Sequence, residues 1–319
     1  MDCFWWKKKT RWYLVDKYRD DKDKRKWKRR YIVSFPEKPT LYKPQLILGD
    51  AREVTQQFKP NSIHLVVTSP PYFNLKEGTW DTYDDYMDML NSVWGSCHNA
   101  LNIGCRLCVN IGDEYADVET YGRHYAMPIH ADIIKGCQTV GFDYMGAIIW
   151  NKRKRLRSSG GGVFLGSYPY PREFLPSYEY EYILIFKKRG RSERPSDAVK
   201  YSELSKLSKQ EWGRYFDAQW KFVGEKKKLH SSAFPEELPK RLIRVFSFVG
   251  ETVLDPFMGS GTTPLVAAFL GRKGIGIEIN ENYHKIAEAR INTAKIPFNS
   301  TKNITTYVVE QNKQWRTQI

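Results

Sequence analysis

From residue 44 onward the chain alternates between two hydrophobic periodicities. Short apolar, β-branched runs recur at 45–48, 63–68, 107–111, 146–150, 182–187, 252–254 and 274–279. Runs of this length, bounded by Gly, Pro, Ser or Asp, read as buried strands. Between several of them apolar residues return every three or four positions. Tyr86, Met89, Leu90, Val93 and Trp94 do so within 83–101, and similar stripes cover 129–140 and 262–270. That spacing predicts helices, and a further short one is expected after Gly49-Asp50. Seven strands alternating with helices predict an α/β fold, a mostly parallel seven-stranded sheet with helices on both faces.

Three stretches lack this pattern. Residues 152–178 are rich in Arg, Gly and Tyr and have no periodicity; residues 190–228 are polar, charged and helix-leaning. Both read as insertions outside the sheet core. Residues 1–43 interleave Trp5, Trp6, Lys7, Lys8, Lys9, Arg11 and Trp12 ahead of a charge run at 22–30. They suit a basic arm on nucleic acid, with cations on phosphates and aromatics on sugar or base. They suit equally a solvated lead-in or a helix capping the domain. The tail from residue 298 is polar.

With 319 residues, 41% of them hydrophobic, the chain has room for one buried domain with an insertion, or for two small ones. The longest apolar stretches fall short of the roughly 20 residues of a membrane-spanning helix. The first ten residues carry a lysine triplet without the apolar core of a signal peptide. A soluble cytoplasmic protein without membrane contact is the expectation. Cys3, Cys97, Cys105, Cys108 and Cys137 are scattered, and Cys105 and Cys108 fall in a strand-like run with no second Cys or His pair at zinc-ribbon spacing. Burial as small hydrophobes is the reading, with neither metal nor disulfide expected. The net charge of +15 and pI near 9.4 change the picture more. Such a surplus attracts polyanions and makes binding salt-dependent, although a basic but functionally neutral surface would look the same.

Two motifs carry chemistry. Asp255-Pro256-Phe257-Met258-Gly259-Ser260-Gly261-Thr262-Thr263 follows a strand and opens a helix. Its paired glycines let the backbone turn sharply and approach a ligand where a Cβ would clash. The next strand ends in Glu278, whose carboxylate can accept from both hydroxyls of a ribose. Together they indicate a nucleoside-containing cofactor without choosing among such cofactors. The second motif, Thr68-Ser69-Pro70-Pro71-Tyr72, ends a strand. Successive prolines remove two backbone donors, leaving nearby carbonyls free to accept. An amino group on a nucleobase is a poor nucleophile because its lone pair is delocalised into the ring. If Ser69 and the Pro70 carbonyl both accept its protons, the nitrogen can pyramidalise, while Tyr72 offers a face for stacking. Taken singly, each motif is also a tight turn.

Together and in this order the motifs resemble those of the amino-methylating DNA methyltransferases, which make N4-methylcytosine or N6-methyladenine. In that family (D/N/S)-P-P-Y is the catalytic signature and a D-P-F-x-G-x-G-T loop holds S-adenosyl-L-methionine (AdoMet). The catalytic motif comes first and the cofactor loop near the C-terminus, which resembles the β group, a circular permutation of the Rossmann-like methyltransferase fold. Leu48-Gly49-Asp50 is similar to the segment whose Asp approaches the adenine amino group. The segment 230–238, HSSAFPEEL, is similar to H-P-A-x-F-P, which implies that Phe234 packs near the cofactor, although Ser231-Ser232 stands where Pro-Ala is usual. Val109 to Asp113 and Ile148 to Lys152 match strands lining the pocket.

The resemblance covers roughly residues 45–295. It implies a catalytic half over 44–189 and an AdoMet-binding half over 229–297. Between them 190–228 is a target-recognition insertion, with the arm 1–43 and the tail 298–319 outside. It implies catalytic Ser69, Pro70, Pro71 and Tyr72, and AdoMet contacts from Asp50, Phe234, Asp255, Phe257, Gly259, Ser260, Gly261, Thr262, Thr263 and Glu278. The Pro-Cys nucleophile of carbon-methylating enzymes is absent, so transfer is direct, to a base flipped from duplex DNA. Serine in first place is associated with cytosine N4 and aspartate with adenine N6. Lys152, Arg153, Lys154, Arg155 and Arg157 beside Gly160, Gly161 and Gly162 suit a loop closing on DNA. A cognate restriction endonuclease, and action as a monomer or homodimer, are further implications. Relatives that methylate RNA or a protein glutamine more often carry N-P-P-Y after the cofactor loop. An inactive DNA-binding module would show erosion of one motif, and both stand whole.

Overall fold

The computed structural model describes residues 41–73, 80–116, 118–152, 178–192, 198–222 and 234–294, positions 172 and 176, and the strands at 2–8, 11–19, 27–35 and 307–308. Near the start, β1 (Asp2–Lys8), β2 (Arg11–Arg19) and β3 (Trp27–Phe35) form a separate antiparallel meander. The expected alternatives for this segment contained no sheet. The aromatic and β-branched residues of 12–15 and 31–33 outweigh the charge between them, as β propensity allows.

The remaining elements build one α/β body. In chain order they are β4 (Gln45–Leu48), α1 (Ala51–Thr55), β5 (Ile63–Thr68), α2 (Tyr83–Ala100) and β6 (Leu101–Ile111). There follow β7 (Glu114–Ala116), α3 (Val118–Tyr121), β8 (Tyr125–Met127), α4 (Ile129–Val140), β9 (Phe142–Asn151) and β10 (Tyr180–Lys188). Next are α5 (Ala198–Ser205), α6 (Lys209–Tyr215), β11 (Gln219–Lys221), α7 (Glu237–Phe246) and β12 (Thr252–Asp255). The last are α8 (Thr262–Phe269), β13 (Lys273–Glu278), α9 (Glu281–Thr293) and β14 (Tyr307–Val308).

The nine-stranded sheet has the order β11-β9-β10-β6-β5-β12-β13-β4-β14. Only β10 runs antiparallel to its neighbours; the other pairings are parallel. The central seven are the expected strands, and β11 and β14 extend the two edges. Thus segment 190–228, read as lying outside the sheet, lends it β11, whose Trp220 is buried against Ile148 and Trp150 in one apolar cluster. Three residues are too short a run to announce a strand by periodicity.

Successive residues of a strand face opposite sides, and β5 shows both faces filled. Leu65 and Val67 belong to the cluster with Leu242 of α7 and Val266 of α8, whereas Val66 joins Leu90, Trp94 and Ile133 of α2 and α4. Each such side chain contributes roughly 1.5–3 kcal/mol by burial. Helix α2 starts at a capping box, in which Thr82 and Asp85 each accept the other's backbone N–H, satisfying orphan donors of the first turn. Cys97, Cys108 and Cys137 are buried and Cys105 half-buried, the small-hydrophobe role expected of them.

Because β4, β5, β12 and β13 are parallel, their C-terminal ends share one edge. Asp255 pairs with Gly276, Glu278 with Leu48, and Leu254 with Val66. Such an edge is where open α/β sheets place ligands.

Candidate active site

Both motifs meet on this edge through a single buried bond. Thr68 Oγ1, one residue before Ser69, donates to Asp255 Oδ1 at 2.6 Å, and the Phe257 N–H donates to the same oxygen at 3.1 Å. Asp255 is 1% exposed, and burial pushes its carboxyl up to about 6, with the Thr68 bond pulling the other way. The sequence reading gave Asp255 to the cofactor. In the structure it is the fastening between the glycine loop and the catalytic strand.

The glycine loop turns through left-handed backbone at Gly259 (φ 52°) and Gly261 (φ 78°). A Cβ at Gly261 would lie 2.8 Å from the Ala287 Cβ, so only glycine keeps the loop this close to α9. Glu278 faces the loop: its Oε2 accepts from Gly259 N at 2.9 Å and its Oε1 from Asn280 N at 2.8 Å. A carboxylate oxygen can accept more than one hydrogen bond, which suits the paired hydroxyls of a ribose. Arg290 of α9, not anticipated from sequence, donates to the Ser260 carbonyl and hydroxyl at 2.8 and 2.9 Å and to Thr262 Oγ1 at 3.1 Å. Thr263 is fully buried in the first turn of α8, and Phe257 meets Trp94 edge to face at 6.2 Å.

Asp50 caps α1 by accepting from Arg52 N, and the Arg52 guanidinium engages both its oxygens at 2.6–3.2 Å. Burial would raise the Asp50 carboxyl, but the Arg52 hydrogen bonds outweigh it and hold the group below the usual carboxylate range. An adenine amino group would therefore share this carboxylate with Arg52. Gly49 N donates to the Glu278 carbonyl at 2.9 Å, so Asp50 and Glu278 stand on neighbouring strand ends. Phe234, assigned to the cofactor by resemblance, is buried in the apolar cluster with Val67, Leu238 and Val253.

In the catalytic loop, Thr68 and Pro70 are buried and Ser69, Pro71 and Tyr72 half-buried. The Tyr86 hydroxyl of α2 donates to the Pro71 carbonyl at 3.0 Å. The Tyr72 hydroxyl donates to Glu181 Oε1 at 2.5 Å. Burial pushes the Tyr72 phenol well above its ordinary range, with Glu114 and Tyr86 adding to the rise and the Ser69 side chain beside it lowering it in part. Tyr72 is therefore a neutral donor at physiological pH. Glu181 is buried on β10 and also accepts from Asn110 Nδ2 at 2.7 Å and from the Lys152 ammonium. Lys152, expected among the DNA contacts, thus pairs with a buried carboxylate. Arg153, Lys154, Arg155 and Arg157 lie outside the described residues. Beside this group His130 stacks on Tyr182 at 4.0 Å and bonds Asp113 at 2.7 Å.

A family model described as DNA methylase, the N6/N4 methyltransferases, matches residues 63–289. The chain belongs to this DNA methylase family. The methylase is 34% identical to the Type II methyltransferase M.MjaI of Methanocaldococcus jannaschii, over 77% of this chain and 90% of that protein. To the Type II methyltransferase M.MthZI of Methanothermobacter thermautotrophicus it is 31% identical, over 74% and 73%. Among solved structures, it superimposes with a TM-score of 0.66 on a candidate DNA modification methylase from Thermus thermophilus complexed with AdoMet. The two are 35% identical, and the match covers 84% of this chain and 100% of that one. The cytosine-N4-specific PvuII DNA methyltransferase, at 22% identity, shares the fold with a TM-score of 0.60 over 80% and 89%. The methylase acts on DNA with AdoMet as cofactor. No helix among its described residues is long and apolar enough to cross a membrane.

Proposed function

We propose that the methylase is a site-specific enzyme methylating the N4 amino group of cytosine in duplex DNA, within a restriction-modification pair. The carrying observation is Ser69, first residue of the S-P-P-Y motif, held one residue beyond the bond that joins β5 to the cofactor loop. AdoMet supplies an electrophilic methyl group. Gly259, Ser260, Gly261 and Thr262 cradle it, and Glu278 and Asp50 hold its ribose and adenine. The Ser69 hydroxyl and the Pro70 carbonyl accept the two protons of the flipped cytosine's amino group, so its lone pair turns out of the ring. Tyr72 stacks on the base, an interaction worth roughly 1–3 kcal/mol. The surplus of +15 charges offsets the few kcal/mol of base flipping through phosphate contacts. Target reading falls to residues 152–178 and 190–228, with Arg153, Lys154, Arg155 and Arg157 on the DNA and a restriction endonuclease as genetic partner.

The test is incubation with AdoMet and unmethylated duplex DNA of varied sequence, then digestion to nucleosides and mass spectrometry. N4-methylcytosine is expected, and its loss in Ser69→Ala. N6-methyladenine as the sole product would overturn the base assignment while leaving direct amine methylation in place.

A further inference from the structure

Arg290 stands in α9, outside both motifs, and reaches two other elements at once. Its Nη1 donates to the Ser260 carbonyl at 2.8 Å, to the Ser260 hydroxyl at 2.9 Å and to Thr262 Oγ1 at 3.1 Å. Its Nη2 lies 3.7 Å from an oxygen of Glu236, the residue before α7. Ala287, three residues earlier and so on the same face of α9, is what a Cβ at Gly261 would strike. Helix α9 thus meets the glycine loop at two adjoining points, one apolar and one cationic. The assignments above give the cation no part in binding AdoMet.

A guanidinium only donates hydrogen bonds. Both hydroxyl oxygens therefore accept from Arg290, and each hydroxyl's own hydrogen is left for another acceptor. One nitrogen reaches both oxygens, so the two hydroxyls are neighbours. Neighbouring donors next to a cation match a carboxylate, which only accepts and favours charge-assisted bonds. AdoMet carries one carboxylate, on its amino-acid end. With Glu278 and Asp50 taking its ribose and adenine, that end is what remains for the part of the loop beyond Gly259.

We propose that Arg290 is a positioning residue for the cofactor, which sets the Ser260 and Thr262 hydroxyls as donors to the AdoMet carboxylate. Glu236 holds the guanidinium from another element and joins this part of the loop to the start of α7. The inference rests on the reading of 259–262 as the AdoMet cradle, and not on which base is methylated.

The experiment is calorimetric titration of the full-length enzyme with S-adenosylhomocysteine and with methylthioadenosine. The two share the adenosine and the thioether sulfur and differ only in the amino-acid end. Arg290→Met is expected to weaken S-adenosylhomocysteine by about 10–100-fold, the range of hydrogen bonds to a charged group. Methylthioadenosine should stay within about threefold. Ser260→Ala combined with Thr262→Val should show the same selective loss, and adding Arg290→Met to that pair should cost no more than about threefold further. Equal losses for both ligands would make Arg290 a structural brace alone and overturn the proposal. So would multiplying losses in the triple variant. Unaltered S-adenosylhomocysteine binding in Ser260→Ala with Thr262→Val would also overturn it, and that result decides the matter even if Arg290→Met fails to fold. Gly261→Ala, which drives a Cβ against Ala287, tests the cradle itself. If it binds both ligands as the parent does, the reading of the loop falls. A loss there beside unaltered binding in Arg290→Met removes only the role of Arg290.

Discussion

Replacing Gly274 by alanine tests how the cofactor loop is held. Gly274 lies in β13 under the first turn of α8, and an added Cβ would stand 2.5 Å from the Pro264 carbonyl oxygen, 2.8 Å from its Cα and 3.0 Å from its carbonyl carbon. All three atoms are backbone, so no side chain can swing aside. Restoring ordinary contact requires α8 to move about 1 Å away from the sheet. Overpacking of this kind costs roughly 1–3 kcal/mol, which in a domain of this size lowers Tm by about 2–12 °C. Because α8 opens directly from Gly261, the displacement should also widen the glycine loop and weaken AdoMet binding. Calorimetry on the same preparation reads both quantities. Gly276→Ala is the paired comparison. Its nearest atoms, Met258 Sδ at 2.3 Å and Cβ at 3.0 Å, belong to a flexible side chain, so a smaller loss is expected. Gly95→Ala in α2 meets nothing within 4 Å and should stabilise by up to about 1 kcal/mol. If Gly274→Ala melts and binds AdoMet as the parent does, the claim that α8 is seated on a bare glycine is wrong.

Three other outcomes follow from the site. A carboxyl raised to about 6 in the fold favours the folded state at low pH and loses that contribution as pH rises from near 4 through 6. Asp255→Asn should therefore flatten this part of the denaturant stability curve, and an unchanged slope from pH 4 to 7 would contradict the burial of Asp255. Thr68→Val removes the donor to that carboxylate and should cost about 1–3 kcal/mol, more at pH 8 than at pH 5; equal losses at both would exclude an ionised partner. Neutralising Arg153 and Arg155 should reduce the slope of log K against log salt for DNA binding by about 2, read by fluorescence anisotropy, whereas an unaltered slope would remove them from the interface.

The seven central strands were legible because strands buried on both faces must be apolar at successive positions, as 65–67 and 253–254 are. The glycine loop and S-P-P-Y were legible because their backbone geometry restricts the residue types allowed. Other features depend on long-range contact and leave little local trace. Glu181 falls just outside the run 182–187 read as a strand, and only the approach of Tyr72, Asn110 and Lys152 marks it out. An acid between Tyr180 and Tyr182, at the head of an apolar run, was the available clue. Likewise a basic run does not reveal that its first member, Lys152, faces a buried acid. Phe234 and Asp255 show that a motif position also carries packing or hydrogen bonds that the motif itself does not state.

The bond between Thr68 and Asp255 also sets a timetable for synthesis. It joins residues 187 positions apart, and a ribosome adding roughly 5–20 residues per second leaves about 10–40 s between them. Throughout that interval the emerging chain carries its S-P-P-Y turn without the carboxylate that anchors the strand before it, and without the glycine loop. A nascent polypeptide thus has no working centre until the ribosome has passed residue 278, and premature termination upstream of residue 255 yields a product unable to methylate DNA.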